Sequence, residues 1–231
     1  MEQEKKKFLR SLVFPLIFTS ILWLVKITET ILDLELAILG IYPLRAKGLL
    51  GILTAPLVHG DFIHLFDNTV PLLVLSIAIF YFYHEIAYKV FFLGYIITGI
   101  WVWFGARGAY HIGASGLVYA FASFIFFSGV IRRNIRLASI SLIVIFLYGS
   151  MVWGIFPIVE RMSWESHLYG GVAGLVLAIY YKDYGPSRER YDWEFEDEDD
   201  EDDEINEGYA GDRLYDQTST SDFLDKNENK N

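Results

Sequence analysis

Along residues 1–182 polar side chains are so sparse that the chain reads as a succession of apolar runs separated by short polar joints. A helix needs about 20 mostly apolar residues to cross about 30 Å of hydrocarbon. Six stretches meet that demand, approximately Phe8–Ile27, His64–Tyr83, Tyr88–Ala106, Ile112–Ile131, Leu137–Phe156 and Glu165–Tyr181. The first carries a basic flank, Lys5, Lys6, Lys7 and Arg10, as a secretory signal does. Its apolar run is long and no small-x-small cleavage pattern follows, so a retained anchor is expected. Between the first two spans, the apolar runs Ile31–Leu39 and Gly48–Leu53 are broken by Glu29, Asp33, Glu35, Arg45, Lys47, Pro43 and Pro56. Those charges make a crossing costly, and an amphipathic segment lying in the outer interface is expected instead.

Charge divides the chain in two. Its net charge is -10, yet residues 183–231 hold 19 of the 29 acids and 5 of the 19 bases, which leaves residues 1–182 at a net +4. Ten acids fall within the eleven residues Glu194–Glu204, too many to bury, and a disordered acidic tail over 183–231 is expected beyond a membrane domain over 1–182. This excludes a soluble acidic globule. An inside N-terminus places eleven bases, among them Lys5–Lys7, Arg10, Lys89, Arg132, Arg133, Arg136 and Lys182, on the cytoplasmic side, against Lys26, Arg45, Lys47, Arg107 and Arg161 outside. The positive-inside rule therefore predicts a multi-pass protein of the cell (plasma) membrane with both termini cytoplasmic. With no cysteine, thiolate metal sites and cysteine nucleophiles are excluded.

Polar residues at membrane depth are candidates for function because each is costly unless paired or wet. His64 and Asn68 open the second span, Ser115 the fourth and His167 the sixth, so the predicted topology sets all four in the outer half of the bilayer. A serine, two imidazoles and an amide are the components of an acyl-transfer site. Ser115 stands in Gly113-Ala114-Ser115-Gly116, where glycine permits close backbone approach and a helix start offers free N–H groups to a developing oxyanion. Other membrane serines, Ser76, Ser123, Ser128 and Ser141, lack such glycines and are read as bonding their own helix. His167, Gly170, Gly174 and Ala178 form one bare helical face, matched by Gly116 and Ala120 on the fourth span. Small-xxx-small packing of these two helices would bring Ser115 to His167. His64 and Asn68, one turn apart, are both able to donate to an oxyanion. His59 is read as a loop brace or an interfacial histidine, and His84 and His111 are given no task. His-Glu-x-x-His and Gly-x-Gly-Asp are absent, as are GxGxxG, Walker A and Cys/His metal patterns, so no metal, cofactor or nucleic acid is expected.

Taken together, His64-x-x-x-Asn68, Gly113-x-Ser115-Gly116 and His167-x-x-Gly170-x-x-x-Gly174 resemble the three motifs of the rhomboid family of intramembrane serine proteases. The resemblance implies a six-transmembrane-helix bundle, Ser115 as nucleophile, His167 as its base in a dyad without an acid, and His64 and Asn68 beside the oxyanion. Tyr119 matches an aromatic that the family stacks on the catalytic histidine. A water-filled cavity open to the outer side is also implied, with substrate passing the fifth span near Trp153 and Phe156. The implied substrates are transmembrane segments of other proteins that unwind readily in the bilayer. Two positions depart from the family pattern: Leu50-Gly51 stands where Trp-Arg is common, and Asp67 is a carboxylate, expected to face water, where a neutral residue is usual. Two other readings are a rhomboid-like protein that binds membrane clients without cutting them, which the intact dyad opposes, and a small transporter. The latter would spread polar residues over both leaflets, often with an internal repeat. No partner for the acidic tail can be named from its composition.

Overall fold

A computed structural model describes residues 2–147, 154–157 and 162–186. The chain divides into two units, 1–188 and 189–231, and all described residues belong to the first. Trp153 and residues 187–231 of the tail lie outside the described residues. Among the described residues the protein is all-helical, with seven α-helices: α1 (Glu2–Ile31), α2 (Gly51–Thr54), α3 (Phe62–Phe82), α4 (Ala87–Gly105), α5 (Ser115–Ile131), α6 (Ile135–Leu147) and α7 (Trp164–Tyr180). α2 is a single turn, so six long helices answer to the six expected spans. Three of them, α1, α3 and α4, are long and apolar enough to cross a membrane by length and composition, and α5 and α6 are shorter apolar helices.

Burial is arranged for lipid rather than water. On α1 the inward stripe is Ser11, Pro15, Thr19, Leu22, Lys26 and Glu29, spaced by three and four residues, while Leu16, Ile17, Leu24 and Ile27 face out. An exposed apolar face over a partly polar inner face is stable only where hydrocarbon is the solvent. α5 sits at the centre, packed on α3, α4, α6 and α7, and hydrophobic nearly all round as a surrounded helix must be. Hydroxyls link the helices: Tyr83 donates to Ser128 (2.8 Å), Ser141 to the Ala122 carbonyl (2.7 Å) and Ser123 to the Gly171 carbonyl (2.6 Å).

Three boundaries differ from expectation, each for a local reason. α1 runs 30 residues, about 45 Å, and so extends past the hydrocarbon at its polar N-terminus. α5 begins at Ser115 rather than Ile112, because Gly113 has a φ of +102°, which delays the helix start by about one turn. The fifth span does not continue as helix to Phe156. Gly154–Pro157 form turns, and Pro157 disfavours helix in the residue before it. Between α1 and α3 the chain is a compact run of short helical turns. It is tied down by reciprocal backbone bonds of Ile41 and His111 (both 2.9 Å), by the Trp103 indole on the Arg45 carbonyl (3.1 Å), and by Lys47 over the Tyr42 ring (4.5 Å). These contacts anchor a loop that lacks the Trp-Arg pair. Leu44, Leu49, Leu50 and Leu53 remain exposed on it.

Candidate active site

Glycine determines how closely α5 and α7 approach. A Cβ on Gly170 would overlap the Gly116 carbonyl oxygen, and one on Gly174 would overlap that of Ala120. With both Cβ atoms absent the backbones touch, and side chains one turn away come within hydrogen-bonding distance. Ser115 Oγ lies 2.7 Å from His167 Nε2. His167 Nδ1 lies 2.8 Å from the Gly154 carbonyl, which can only accept, so Nδ1 carries the imidazole proton and Nε2 is left to accept from Ser115. A backbone carbonyl thus fixes the tautomer. Tyr119 stacks flat on His167, centroids 4.2 Å apart and planes within 7°.

The opposite wall comes from α3. Asp61 caps its N-terminus by accepting from the His64 N–H (2.7 Å). That N–H and the helix start hold the exposed Asp61 carboxyl below its usual range. Asn68, buried, donates one amide proton to the His64 carbonyl (3.0 Å), leaving a second. Gly113 serves this wall twice. Its φ is one that side chains rarely adopt, and a Cβ on it would meet His64 Cε1 and Nε2 at 2.8 Å. The amides of Gly113 and Ala114 are engaged, by the Ala55 carbonyl (2.9 Å) and by His59 Nε2 (3.3 Å). Among the described residues no acceptor holds the Ser115 N–H. Ser115, His167, His64, Asn68, Gly113 and Tyr119 are therefore gathered at one place, and all but Gly113 line a single cavity of about 520 Å³. Asp67 is exposed on its rim, as expected of a carboxylate facing water.

Three residues carry more of this geometry than their sequence context suggests. His111 is buried: its Nε2 donates to the Arg107 carbonyl (3.0 Å) and its Nδ1 accepts from Ser163 Oγ (2.6 Å), the N-cap of α7. Arg107 reaches the Met162 carbonyl (2.9 Å) and buried Glu165 (3.5 Å). The loop before Ser115 is thereby strapped to the helix that carries His167. His59, 1% exposed, is the brace rather than the interfacial histidine. Burial, then the neighbouring His64, pushes its pKa down to about 3, as suits a ring that must stay neutral to accept from Ala114. Lone histidines at span ends gave little in the sequence to mark them.

A hydroxyl whose proton is held by a neutral imidazole, facing free donors in a cavity, is competent for nucleophilic attack on a carbonyl. Among the described residues no group of histidines and acids could hold a metal ion. Residues 46–184 match the Rhomboid domain family. An uncharacterized protein of Mycobacterium tuberculosis (strain ATCC 25618 / H37Rv) is 35% identical over 177 residues, covering 71% of this chain and 72% of that protein. An uncharacterized protein of Mycobacterium leprae (strain TN) is 33% identical over 180 residues, covering 71% of this chain and 68% of that protein. The apolar helices make this an integral membrane protein, and the match over most of its helical body shows that the chain belongs to the rhomboid family.

Proposed function

We propose that this rhomboid is an intramembrane serine endopeptidase that cleaves transmembrane segments of other membrane proteins. The observation that carries the reading is the 2.7 Å contact of Ser115 Oγ with His167 Nε2 in a cavity large enough to admit water. In the first half-reaction His167 takes the Ser115 proton as Oγ attacks the scissile carbonyl. The oxyanion is met by the Ser115 N–H, the His64 Nε2–H and the free Asn68 amide proton. Collapse breaks the C–N bond, and the proton on His167 passes to the leaving amine. Water then attacks the acyl-enzyme, giving its proton to His167, and Ser115 is regenerated.

The Gly154 carbonyl does for His167 what a triad carboxylate does, holding the ring in the useful tautomer, though without a negative charge to stabilise the imidazolium. Substrate helices enter past α6 and unwind at the cavity, because an intact helix hides its carbonyls in its own hydrogen bonds. Segments weakened by glycine or other small residues are therefore preferred. The basic flanks orient the bundle in the cell membrane with both termini cytoplasmic and the cavity outward.

The test is chemical. A fluorophosphonate probe labels the wild-type protein and fails to label Ser115→Ala or His167→Ala, and cleavage of a single-span substrate falls by about 10⁴-fold or more in both. Equal labelling of all three proteins would remove the assignment and leave a client-binding rhomboid that does not cut.

A further inference from the structure

Lys26 and Glu29 are charges buried within a membrane helix, each 8% exposed, and neither touches Ser115 or His167. Burying such a pair costs desolvation that its mutual attraction barely recovers. An ammonium has three N–H donors, and Lys26 places all of them: on Glu29 Oε2 at 2.9 Å, on the His59 carbonyl at 3.0 Å and on the Gly60 carbonyl at 3.0 Å. Glu29 uses its other oxygen to accept from the Leu36 N–H at 3.2 Å. The pair therefore grips both carbonyls of one turn, His59-Gly60, which lies just before α3 and belongs to neither helix end.

From that turn two contacts run into the candidate site. The Ala114 N–H donates to His59 Nε2 at 3.3 Å, one residue before Ser115. The Gly60 N–H points at His64 Nδ1 across a long 3.5 Å. An acceptor at Nδ1 leaves the proton of neutral His64 on Nε2, the atom that faces Gly113. Nε2 is thus the donor that an oxyanion over Ser115 would need.

We infer that Lys26, with Glu29 as its counter-charge, is a positioning residue: by holding the His59-Gly60 turn it sets the tautomer and aim of His64 and the placement of the Ala114–Ser115 backbone. This rests on the reading of Ser115 as nucleophile and His64 as oxyanion donor. It explains why a charge is kept here. Two carbonyls at an irregular turn cannot satisfy each other, and a three-donor group on the neighbouring helix satisfies both. An apolar replacement of the pair would pack, as buried ion pairs often allow, but would release the turn.

The experiment uses the full chain in nanodiscs, with Lys26→Met, Lys26→Arg and the double variant Lys26→Met with Glu29→Leu. Kinetics on a single-span substrate and the rate of fluorophosphonate labelling are measured alongside thermal unfolding. The His64 tautomer is read by ¹⁵N NMR of histidine-labelled protein, assigned with His64→Gln. In Lys26→Met and in the double variant kcat and the labelling rate fall about 10- to 100-fold with KM within twofold, the loss that a small misplacement produces. The double variant unfolds at or above the wild-type temperature, Lys26→Arg regains most of kcat, and the His64 spectrum shifts from the Nε2–H form to a mixture. A folded double variant with wild-type kcat, or an unchanged His64 spectrum, overturns the inference. If the wild-type protein neither labels nor cleaves, it is the protease reading that fails; the His64 spectrum then decides the role of Lys26 alone.

Discussion

Tyr119 and His167 show what a single contact contributes here. A ring lying flat on the imidazole limits its rotation, so the hydrogen bond to Ser115 is formed before substrate arrives. Tyr119→Phe keeps that face and should leave kcat within about threefold, whereas Tyr119→Leu removes it and should lower kcat by roughly tenfold with little change in KM. Steady-state cleavage of one substrate by both variants checks this. His59 supplies a pH signature. Its folded pKa, about 3, lies below the ordinary 6.5, so the unfolded chain binds the proton first. Stability from this group is complete above pH 6.5 and is lost as pH falls from there toward 3, at about 1.4 kcal/mol per pH unit. Between pH 6.5 and 5 the unfolding free energy should drop by about 2 kcal/mol. His111, also pushed down by burial, adds in the same direction, so His59→Gln removes part of the slope and not all of it. Chemical unfolding in detergent at stepped pH values measures both curves.

At the scale of elements, the α5–α7 seam was legible because a bare face at three- and four-residue spacing is a local pattern. Its energetics separate two adjacent glycines. Gly170 has the Gly116 backbone against it, and Gly171 has nothing within 4 Å. Gly170→Ala should cost about 1–3 kcal/mol through overpacking and loosen the Ser115–His167 contact. Gly171→Ala should be neutral or stabilising by up to about 1 kcal/mol, since alanine suits a helix better. Thermal unfolding and cleavage rates of the two variants test the contrast. The start of α5 was not legible to the residue. Apolarity extends back to Ile112, and hydropathy does not register a positive φ at Gly113. The end of the fifth span was overrun for the same reason, since Gly154–Pro157 are apolar and yet turn.

Across the whole molecule, one arginine closes the bundle at the end away from the cavity. Arg132, just past α5, donates to the carbonyls of Lys182 (2.7 Å), Gly185 (2.9 Å) and Pro186 (2.8 Å), and so fastens the segment that follows α7. The helical body is therefore complete only with residues 182–186. Truncation after Pro186 should leave unfolding temperature and cleavage unchanged, whereas truncation after Tyr181 or Arg132→Met should lower the unfolding temperature by several degrees. Differential scanning fluorimetry of the three proteins checks it. Wild-type behaviour after removal of residues 187–231 would also show that the acidic tail has no part in the chemistry.

Hydropathy and spacing are properties of consecutive residues, and what depends on them was determined by the sequence alone: six helices, a bare face on the last one, and the motif residues Ser115, His167, His64 and Asn68. Which groups serve those residues was decided only by tertiary structure. Gly154 lends its carbonyl to His167, Ser163 takes up His111, and Lys26 grips the turn that His59 shares with Ala114. Apart from Gly154, these partners stand some 30 to 55 positions apart in the chain. In the sequence Lys26 is simply a base near the end of the first span, indistinguishable from one that orients the protein. Its meaning comes from one helix and a turn meeting at 3 Å, a distance set by how backbones pack and by no local pattern.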